Sequence, residues 1–303
     1  MADLRTSICG VEFKNPVIAA SGCFGFGREY SLYHDLSALG GIALKAVTLE
    51  ERKANRPPRI AETPSGILNS VGLQNPGVDT FLQEEAGWLS SLDTVLFANI
   101  AGSTVDEYCA VAEKLKNTPV DFLELNISCP NVREGGAAFG ARPETIFDVT
   151  KQVKKHSSQP LFVKLTPNTI DIKENAKAAE EAGADGISLI NTLIGMAIDI
   201  NTRKPILGNV IGGLSGPAIF PVALRMVWQA ASAVQIPVIG MGGIASGDDA
   251  VAMLMAGASA VMVGTMNLVY PDACPKVIAG INSFLDRKNI TCVKDIIGTL
   301  EVS

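Results

Sequence analysis

Short apolar segments that end in small or polar residues recur along the chain, and most precede stretches with apolar residues at helical spacing. Runs such as VLFANI, LFVKL, PVIGMGG and AVMVG are almost continuously apolar. This is typical of strands that are buried on both faces of a parallel sheet. The pattern predicts strands over residues 15–22, 41–49, 94–102, 121–130, 160–167, 186–192, 236–244 and 260–265.

Between these strands, apolar residues at helical spacing predict helices. The predicted helices span residues 105–116, 143–155, 171–182, 217–234 and 248–256. Two pairs resemble helix starts, Thr104 with Glu107 and Ser246 with Asp249, because an acidic residue follows a hydroxyl residue by three positions.

Eight strands alternating with helices predict a (β/α)₈ TIM barrel, an α/β fold, as a single domain over residues 1–303. The alternative is a doubly wound open sheet, which normally carries a GxGxxG loop after its first strand. The segment AASGCFGFG at that place does not have this pattern. Residues 7–13, SICGVEF, are expected to form a small hairpin that closes the N-terminal end of the barrel.

Three connections are longer than a plain barrel needs, namely residues 50–75, 131–142 and 193–215. All three follow strands, so we expect long insertions on the C-terminal face, where barrel enzymes place their active sites. The third insertion has the pattern of a hairpin, in which MAIDINT and PILGNVI flank a turn at Arg203–Lys204.

The composition narrows the possible classes of protein. A hydrophobic fraction of 47% with 18% charged residues excludes a disordered or coiled-coil chain. A net charge of −6 disfavours binding to nucleic acid or to an anionic membrane. The chain shows no CxxC spacing, no secretory signal and no apolar run long enough to cross a bilayer. We therefore expect a reduced, cytoplasmic protein without a metal site.

Glycines at the ends of the last two strands point to a phosphate site. Gly242-Gly243 and Gly264-Thr265 follow the seventh and eighth strands, whose loops form the recurrent phosphate site of this fold. The segment GGLSG at 212–216 could supply further backbone amides. The alternative is that these glycines only make tight turns.

Polar side chains at other strand ends suggest a polar ligand. Lys45 and Lys164 each lie within an apolar strand, and a buried lysine usually has a partner. Amide side chains suit a planar ligand with C=O and N–H groups, although a single asparagine there is usually a turn residue. The asparagines at or just beyond strand ends are Asn69, Asn99, Asn126, Asn131 and Asn191.

The segment NISCPN places Cys129 at the end of the fourth strand, where barrel enzymes carry catalytic groups. Its thiol could act as a nucleophile or as a general base, since neither His34 nor His156 is placed to activate it. Glu124 is the only acid in the middle of a core strand and has no evident partner. This weakens the alternative of a non-redox phosphate-binding isomerase or synthase, which would use paired carboxylates. A non-catalytic binding subunit is a third possibility.

Taken together, the motifs resemble class 1 dihydroorotate dehydrogenase, the flavin-containing barrel of pyrimidine synthesis. Within that family, LQNPG and REGGAAFG resemble the catalytic subunit of the B-type, NAD-linked enzymes more than the fumarate-linked A-type. The resemblance covers essentially the whole chain. It is carried by ASG, LKAVT, NSVGLQNPG, NISCPNV, VKLTPN, INT, GGLSG, GMGGI and VGT.

The resemblance implies FMN as cofactor and (S)-dihydroorotate, oxidised to orotate, as substrate. It implies that Cys129 removes the C5 proton while hydride passes from C6 to flavin N5, with Lys164 neutralising the reduced flavin. Phe139 and the loop around Gly135-Gly136 would form a lid. The implied FMN-binding residues are Ser21, Lys45, Ala46, Asn99, Asn126, Lys164, Ile190, Gly216, Gly242, Gly243, Gly264 and Thr265. The implied substrate-binding residues are Lys45, Asn69, Ser70, Val71, Gly72, Leu73, Asn126, Asn131, Asn191 and Thr192.

The resemblance also implies an assembly. A homodimer of this chain would join separate subunits carrying FAD and a [2Fe–2S] cluster, forming a heterotetramer that passes electrons to NAD⁺. The alternatives are a flavin-dependent oxidoreductase of dihydropyrimidines such as dihydrouracil or dihydrothymine, and a fumarate-linked A-type enzyme.

Overall fold

The eight predicted barrel strands form one closed parallel sheet in the computed structural model, which describes residues 2–128, 139–140 and 142–302. The strands in chain order are β1 (Thr6–Ile8), β2 (Val11–Phe13), β3 (Val17–Ala19), β4 (Gly41–Ala43), β5 (Ile60–Thr63), β6 (Gly66–Asn69), β7 (Val95–Ile100), β8 (Phe122–Asn126), β9 (Leu161–Lys164), β10 (Gly186–Leu189), β11 (Leu193–Met196), β12 (Ile198–Asp199), β13 (Lys204–Pro205), β14 (Ile211–Ser215), β15 (Val238–Met241) and β16 (Ala260–Val263).

Around the barrel the strand order is β3, β4, β7, β8, β9, β10, β15 and β16, and β16 pairs with β3 to close it. The predicted (β/α)₈ barrel is therefore confirmed. The strands are shorter than predicted because turn residues flank them. The first barrel strand, for example, covers only residues 17–19, since Pro16 has no N–H for the ladder and Gly22 has a φ of 88°.

Helices cover the outside of the barrel, and the five predicted ones are present. The helix predicted over 217–234 begins with a 3₁₀ turn at Pro217–Ile219 before its α-helical part. Ser246 and Asp249 form the expected reciprocal capping box. The α-helices are α1 (Val78–Glu84), α2 (Ala86–Leu89), α3 (Val105–Lys114), α4 (Pro143–Lys154), α5 (Ile172–Glu181), α6 (Phe220–Ala231), α7 (Gly247–Met255), α8 (Met266–Val269) and α9 (Ala273–Lys288). Within the part of the chain that the structure describes, no helix is both long and apolar enough to cross a membrane.

The predicted hairpin closes the N-terminal end of the barrel. Strands β1 and β2 pair antiparallel, and the Phe13 side chain is only 1% exposed. Its ring centroid lies 6.2 Å from that of Phe97 and 5.9 Å from that of Phe122. Phenylalanine side chains packed among aliphatic ones therefore fill the barrel interior at this end.

Toward the carboxyl ends of the strands the barrel interior becomes polar. Phe97 pairs with Phe122 across β7 and β8, and two positions further along the same strands Asn99 pairs with Glu124. Because side chains of a strand alternate between its faces, these two pairs point into the same interior, one above the other. The polar pair lies toward the C-terminal face.

Two insertions on that face join in a second sheet. Its strand order is β11, β14, β6 and β5, so residues 193–196 and 211–215 of the third insertion extend a hairpin from the first. The predicted hairpin in the third insertion is present, and the turn covers residues 200–203, so the turn prediction at Arg203–Lys204 was right for Arg203 and wrong for Lys204. Lys204 already pairs with Asp199, and the turn lies between them, because the Asp199 carboxylate accepts hydrogen bonds from the backbone of residues 201 and 202.

Candidate functional site

A cavity of about 260 Å³ opens at the carboxyl ends of the barrel strands. Its lining comes from the ends of seven barrel strands or the residues just after them, together with the insertion sheet. Most of the residues predicted to bind ligand meet here. Those that line the cavity are Ser21, Lys45, Ala46, Asn69, Val71, Gly72, Leu73, Asn126, Lys164, Ile190, Asn191, Thr192, Gly216, Gly242, Gly243, Gly264 and Thr265.

One side of the cavity is lined by glycine-containing backbone at Gly216, Gly242-Gly243 and Gly264-Thr265. Gly242 and Gly243 have φ angles of 121° and 77°, which L side chains rarely adopt. A Cβ added at Gly243 would lie 2.7 Å from the backbone N of Phe220, where α6 begins. Glycine is thus required for the chain to pass this close to the start of a helix, where N–H groups and the helix dipole favour an anion.

A lysine occupies the floor of the cavity. The side chain of Lys164, at the end of β9, is nearly buried, and its Nζ lies 3.6 Å from Oε2 of Glu124. Ser188 donates a hydrogen bond of 2.7 Å to the other oxygen of that carboxylate. The sequence indicated no second carboxylate beside Glu124; in the structure its partners are a lysine, an amide and a serine from other barrel strands, all remote in sequence.

Amide side chains continue from this carboxylate along the wall. Asn99 donates from Nδ2 to Glu124 Oε2, and Asn126 donates from Nδ2 to Asn99 Oδ1 at 3.1 Å. Ser128 donates to Asn126 Oδ1 at 3.2 Å, and Asn191 donates to Ser128 Oγ at 2.8 Å. We call Asn191, Ser128, Asn126, Asn99 and Glu124 the amide chain.

The segment that carries Lys45 is fixed from behind. Asn75 accepts hydrogen bonds at Oδ1 from the backbone N–H groups of Thr48 and Gly77, at 3.1 and 2.9 Å. It also donates from Nδ2 to the Leu73 carbonyl at 2.8 Å. Asn75 thereby ties the two lining segments around residues 45 and 73 together.

Among the described residues, two predicted ligand-binding residues lie behind the cavity wall. Asn99 is fully buried beneath Asn126, and Ser70 is buried with its backbone N–H bonded to the Arg59 carbonyl. Of the predicted lid, Phe139 packs edge-on against the Tyr108 ring at 6.0 Å. The predicted base Cys129, the predicted ligand residue Asn131 and the lid glycines Gly135 and Gly136 lie outside the described residues.

The cavity also includes residues that sequence analysis did not select. Cys23 follows the ASG motif and faces the lysines; burial raises the pKa of its thiol, and the charges of Lys164 and Lys45 partly offset this. Its place directly after a strand end was the available signal. Ser215 reaches the cavity only because the insertion sheet brings it there. The apolar lining residues that were not selected include Ile60, Ile67, Ile219, Met241, Ile244, Met262, Met266 and Leu268.

The cavity therefore has three chemically different sides. The glycine-lined side suits an anion such as a phosphate, the apolar residues suit a flat ring, and the lysines and amides suit a ligand rich in carbonyl, N–H and carboxylate groups. A phosphate-bearing aromatic cofactor and a small polar substrate fit this division.

Comparisons with known proteins identify the relatives of this chain. The family model described as dihydroorotate dehydrogenase matches residues 3–285. The chain is 58% identical over 298 residues to "Dihydroorotate dehydrogenase B (NAD(+)), catalytic subunit" of Alkaliphilus oremlandii, covering 98% of this chain and 99% of the relative. It is 53% identical over 300 residues to the protein of that name from Thermoanaerobacter pseudethanolicus, covering 99% of each.

A solved structure supports the fold. It is a crystal structure of DHODH in complex with ferulenol from Eimeria tenella, with a TM-score of 0.85 and 23% sequence identity. The alignment covers 98% of this chain and 88% of that one.

Proposed function

The chain belongs to the dihydroorotate dehydrogenase family, and on that premise we propose that it oxidises (S)-dihydroorotate to orotate in pyrimidine nucleotide synthesis, as the catalytic subunit of a B-type, NAD-linked enzyme. One observation carries the proposal: a glycine-lined, anion-binding side and a floor of lysine and amide groups share a single cavity. A redox cofactor and its substrate could therefore meet there.

The residues present fit FMN. The close backbone approaches at Gly242, Gly243 and Gly216 exclude side chains from this side of the cavity, and backbone N–H groups there would bind the phosphate of FMN. Lys164 and Lys45 supply positive charge in the same cavity. Ser21, Ala46, Asn126, Ile190, Gly264 and Thr265 would complete the FMN site, and Asn99 would act from behind Asn126. When bound, FMN supplies a two-electron acceptor for the hydride that leaves C6 of dihydroorotate.

The chain's own residues would bind and orient the substrate. The ammonium of Lys45 would attract its carboxylate, and the amides of Asn69, Asn126 and Asn191 would bond its ring carbonyl and N–H groups. Backbone groups of residues 70–73, Thr192 and Asn131 would complete the set. The apolar side of the cavity would exclude water from the reacting atoms.

The reaction balances as loss of one proton from C5 and one hydride from C6, which leaves the C5–C6 double bond of orotate. Cys129 is proposed as the base that takes the C5 proton. Lys164 would stabilise the negative charge that reduction places on the cofactor.

The proposal extends to partners. The names of the relatives contain "catalytic subunit" and "NAD(+)", which supports a separate subunit that carries electrons to NAD⁺. We propose that this subunit holds FAD and a [2Fe–2S] cluster and that it assembles with a homodimer of this chain into a heterotetramer. The proposal places the assembly in the cytoplasm, which the free thiols of Cys9, Cys23, Cys109, Cys274 and Cys292 support.

The test is an absorbance spectrum of the purified chain, recorded before and after anaerobic addition of dihydroorotate. We expect a flavin band that dihydroorotate bleaches and that dihydrouracil, the matched control without a carboxylate, leaves unchanged. Bleaching by dihydrouracil alone would move the substrate to another dihydropyrimidine. Rapid reoxidation of the isolated chain by fumarate would favour the A-type. A chain that stays colourless after FMN is added would contradict the proposal.

A further inference from the structure

The hydrogen-bond directions in the amide chain are fixed at its buried end. Glu124, at that end, is fully buried, and a carboxylate can only accept hydrogen bonds. Asn99 must therefore turn its NH₂ group toward Glu124, which leaves its Oδ1 atom to accept from Asn126.

The same logic continues to the cavity. Because Asn126 uses an N–H toward Asn99, its Oδ1 atom faces Ser128 and accepts from that hydroxyl. The Ser128 oxygen in turn accepts from the NH₂ group of Asn191. The orientation of two amides that line the cavity, Asn126 and Asn191, thus follows from one buried carboxylate.

Glu124 also provides the negative charge nearest to Lys164 among the residues that the structure describes. The ammonium and the carboxylate are 3.6 Å apart, and each side chain is at least 94% buried. In an interior of low dielectric such a pair has a strong mutual influence. Ser188 donates a hydrogen bond to the second carboxylate oxygen and thereby favours this orientation of the carboxylate.

We propose that Glu124 is a positioning residue for the proposed reaction. Its negative charge acts on Lys164, and its acceptor oxygen determines which way the amide groups of the amide chain point. The inference rests on the proposed function, since Lys164 and the amides act on the cofactor and substrate assigned there. Glu124 itself does not line the cavity and would contact neither ligand.

The charge part is tested with Glu124→Gln in the FMN-loaded protein. Glutamine keeps the volume and an acceptor oxygen for Asn99 but removes the negative charge beside Lys164. The midpoint potential of bound FMN, measured by equilibration with redox dyes, should shift to a more positive value, because the reduced and more negative cofactor is then favoured. Asp121→Asn removes the same charge from the residue just before β8 and should leave the potential at the wild-type value.

The direction part is tested with Glu124→Asp, which keeps the charge but withdraws the acceptor from Asn99. We expect a KM for dihydroorotate raised roughly three- to tenfold, the equivalent of one hydrogen bond, with a smaller change in kcat. Glu124→Gln should keep the wild-type KM.

A Glu124→Gln potential equal to that of the wild type would overturn the charge part, and an unchanged KM in Glu124→Asp would overturn the direction part. Both variants are compared with the wild type by FMN content and by melting temperature, so that misfolding is recognised. The wild-type protein is the reference for the proposed function: if it binds FMN and is bleached by dihydroorotate, a negative result in the variants refutes only the role of Glu124.

Discussion

Thr265 donates a hydrogen bond from its Oγ1 atom to Oγ of Ser215 over 2.9 Å. The first residue follows the last barrel strand, and the second ends β14 of the insertion sheet. The bond therefore attaches the insertion sheet to the barrel at the edge of the cavity, beside the proposed phosphate side.

Replacing Thr265 with valine keeps the shape of the side chain and removes this bond. We expect FMN to bind roughly three- to tenfold more weakly, because a single hydrogen bond contributes about 0.5–1.5 kcal/mol. Fluorescence titration of the apoprotein with FMN measures this. Thr118→Val, which removes a hydroxyl bonded to the Leu115 carbonyl outside the barrel, is the control. Equal affinities for Thr265→Val and wild type would show that the attachment does not matter for binding.

Gly243→Ala tests the close approach of backbone at the proposed phosphate side. The new methyl group would lie 2.7 Å from the Phe220 nitrogen, in addition to the unfavourable positive φ. We expect FMN affinity to fall at least about tenfold, which corresponds to about 1.4 kcal/mol. Gly10→Ala has a similar φ of 82° with no atom within 4 Å of the new methyl, so it should lose stability without losing FMN affinity. If both variants bind FMN like the wild type, the phosphate assignment fails.

Cys129→Ser tests the proposed base. A serine hydroxyl is a much weaker base than a thiolate, so we expect reduction of bound FMN by dihydroorotate to slow by about 10²–10⁴-fold at neutral pH. Stopped-flow absorbance measures the rate, and the flavin spectrum checks that FMN remains bound. Cys109→Ser, on an outer helix, should reduce its flavin at the wild-type rate. A Cys129→Ser rate close to the wild-type rate would remove Cys129 from the mechanism.

Asp121 predicts a pH dependence of stability. Burial raises the pKa of its carboxyl group more than the hydrogen bond from the Leu96 N–H lowers it. A raised pKa in the folded state means that the protonated form stabilises the fold, and this contribution is lost as the pH rises through that pKa. Asp121→Asn imitates the protonated form.

Asp121→Asn should therefore be more stable than the wild type at neutral pH, and the difference should shrink as the pH falls through the raised pKa of Asp121. Urea denaturation over this pH range measures it. Asp148→Asn, at an exposed position, controls for the loss of one negative charge. A difference that stays constant with pH would contradict the role of burial.

The barrel could be predicted from the sequence because each strand is a local apolar run, such as residues 95–100, which are all buried. The helix α9 was not predicted, because Pro275 and Gly280 are poor residues for a helix interior. In the structure, a Cβ at Gly280 would lie 2.8 Å from the Cα of Gly247 in α7, so the glycine permits two helices to pack closely. That benefit depends on a tertiary contact, which a local pattern does not contain.

The candidate site was predictable to a similar degree. Residues that lie at strand ends, such as Lys164 and Gly243, follow from the position of the strand in the barrel. The partners of Glu124 do not, because Ser188 is 64 positions away in the chain and meets the carboxylate only when the barrel closes. The same holds for Ser215, which an insertion sheet made of two distant segments delivers to the cavity.

Along the barrel axis the interior side chains change from aromatic at the N-terminal end to polar at the C-terminal end. Residues that could be engineered therefore fall into two groups according to the end at which they lie. Substitutions around Phe13 and Phe122 are expected to alter the stability of the barrel, while substitutions of cavity residues beyond Asn99 and Glu124, such as Asn126 and Asn191, are expected to alter what it recognises. A more thermostable form could therefore be sought by substitutions at the N-terminal end of the barrel, with the active site unchanged. New substrate preferences could be sought by substitutions at the C-terminal end, with the packing of the N-terminal end unchanged.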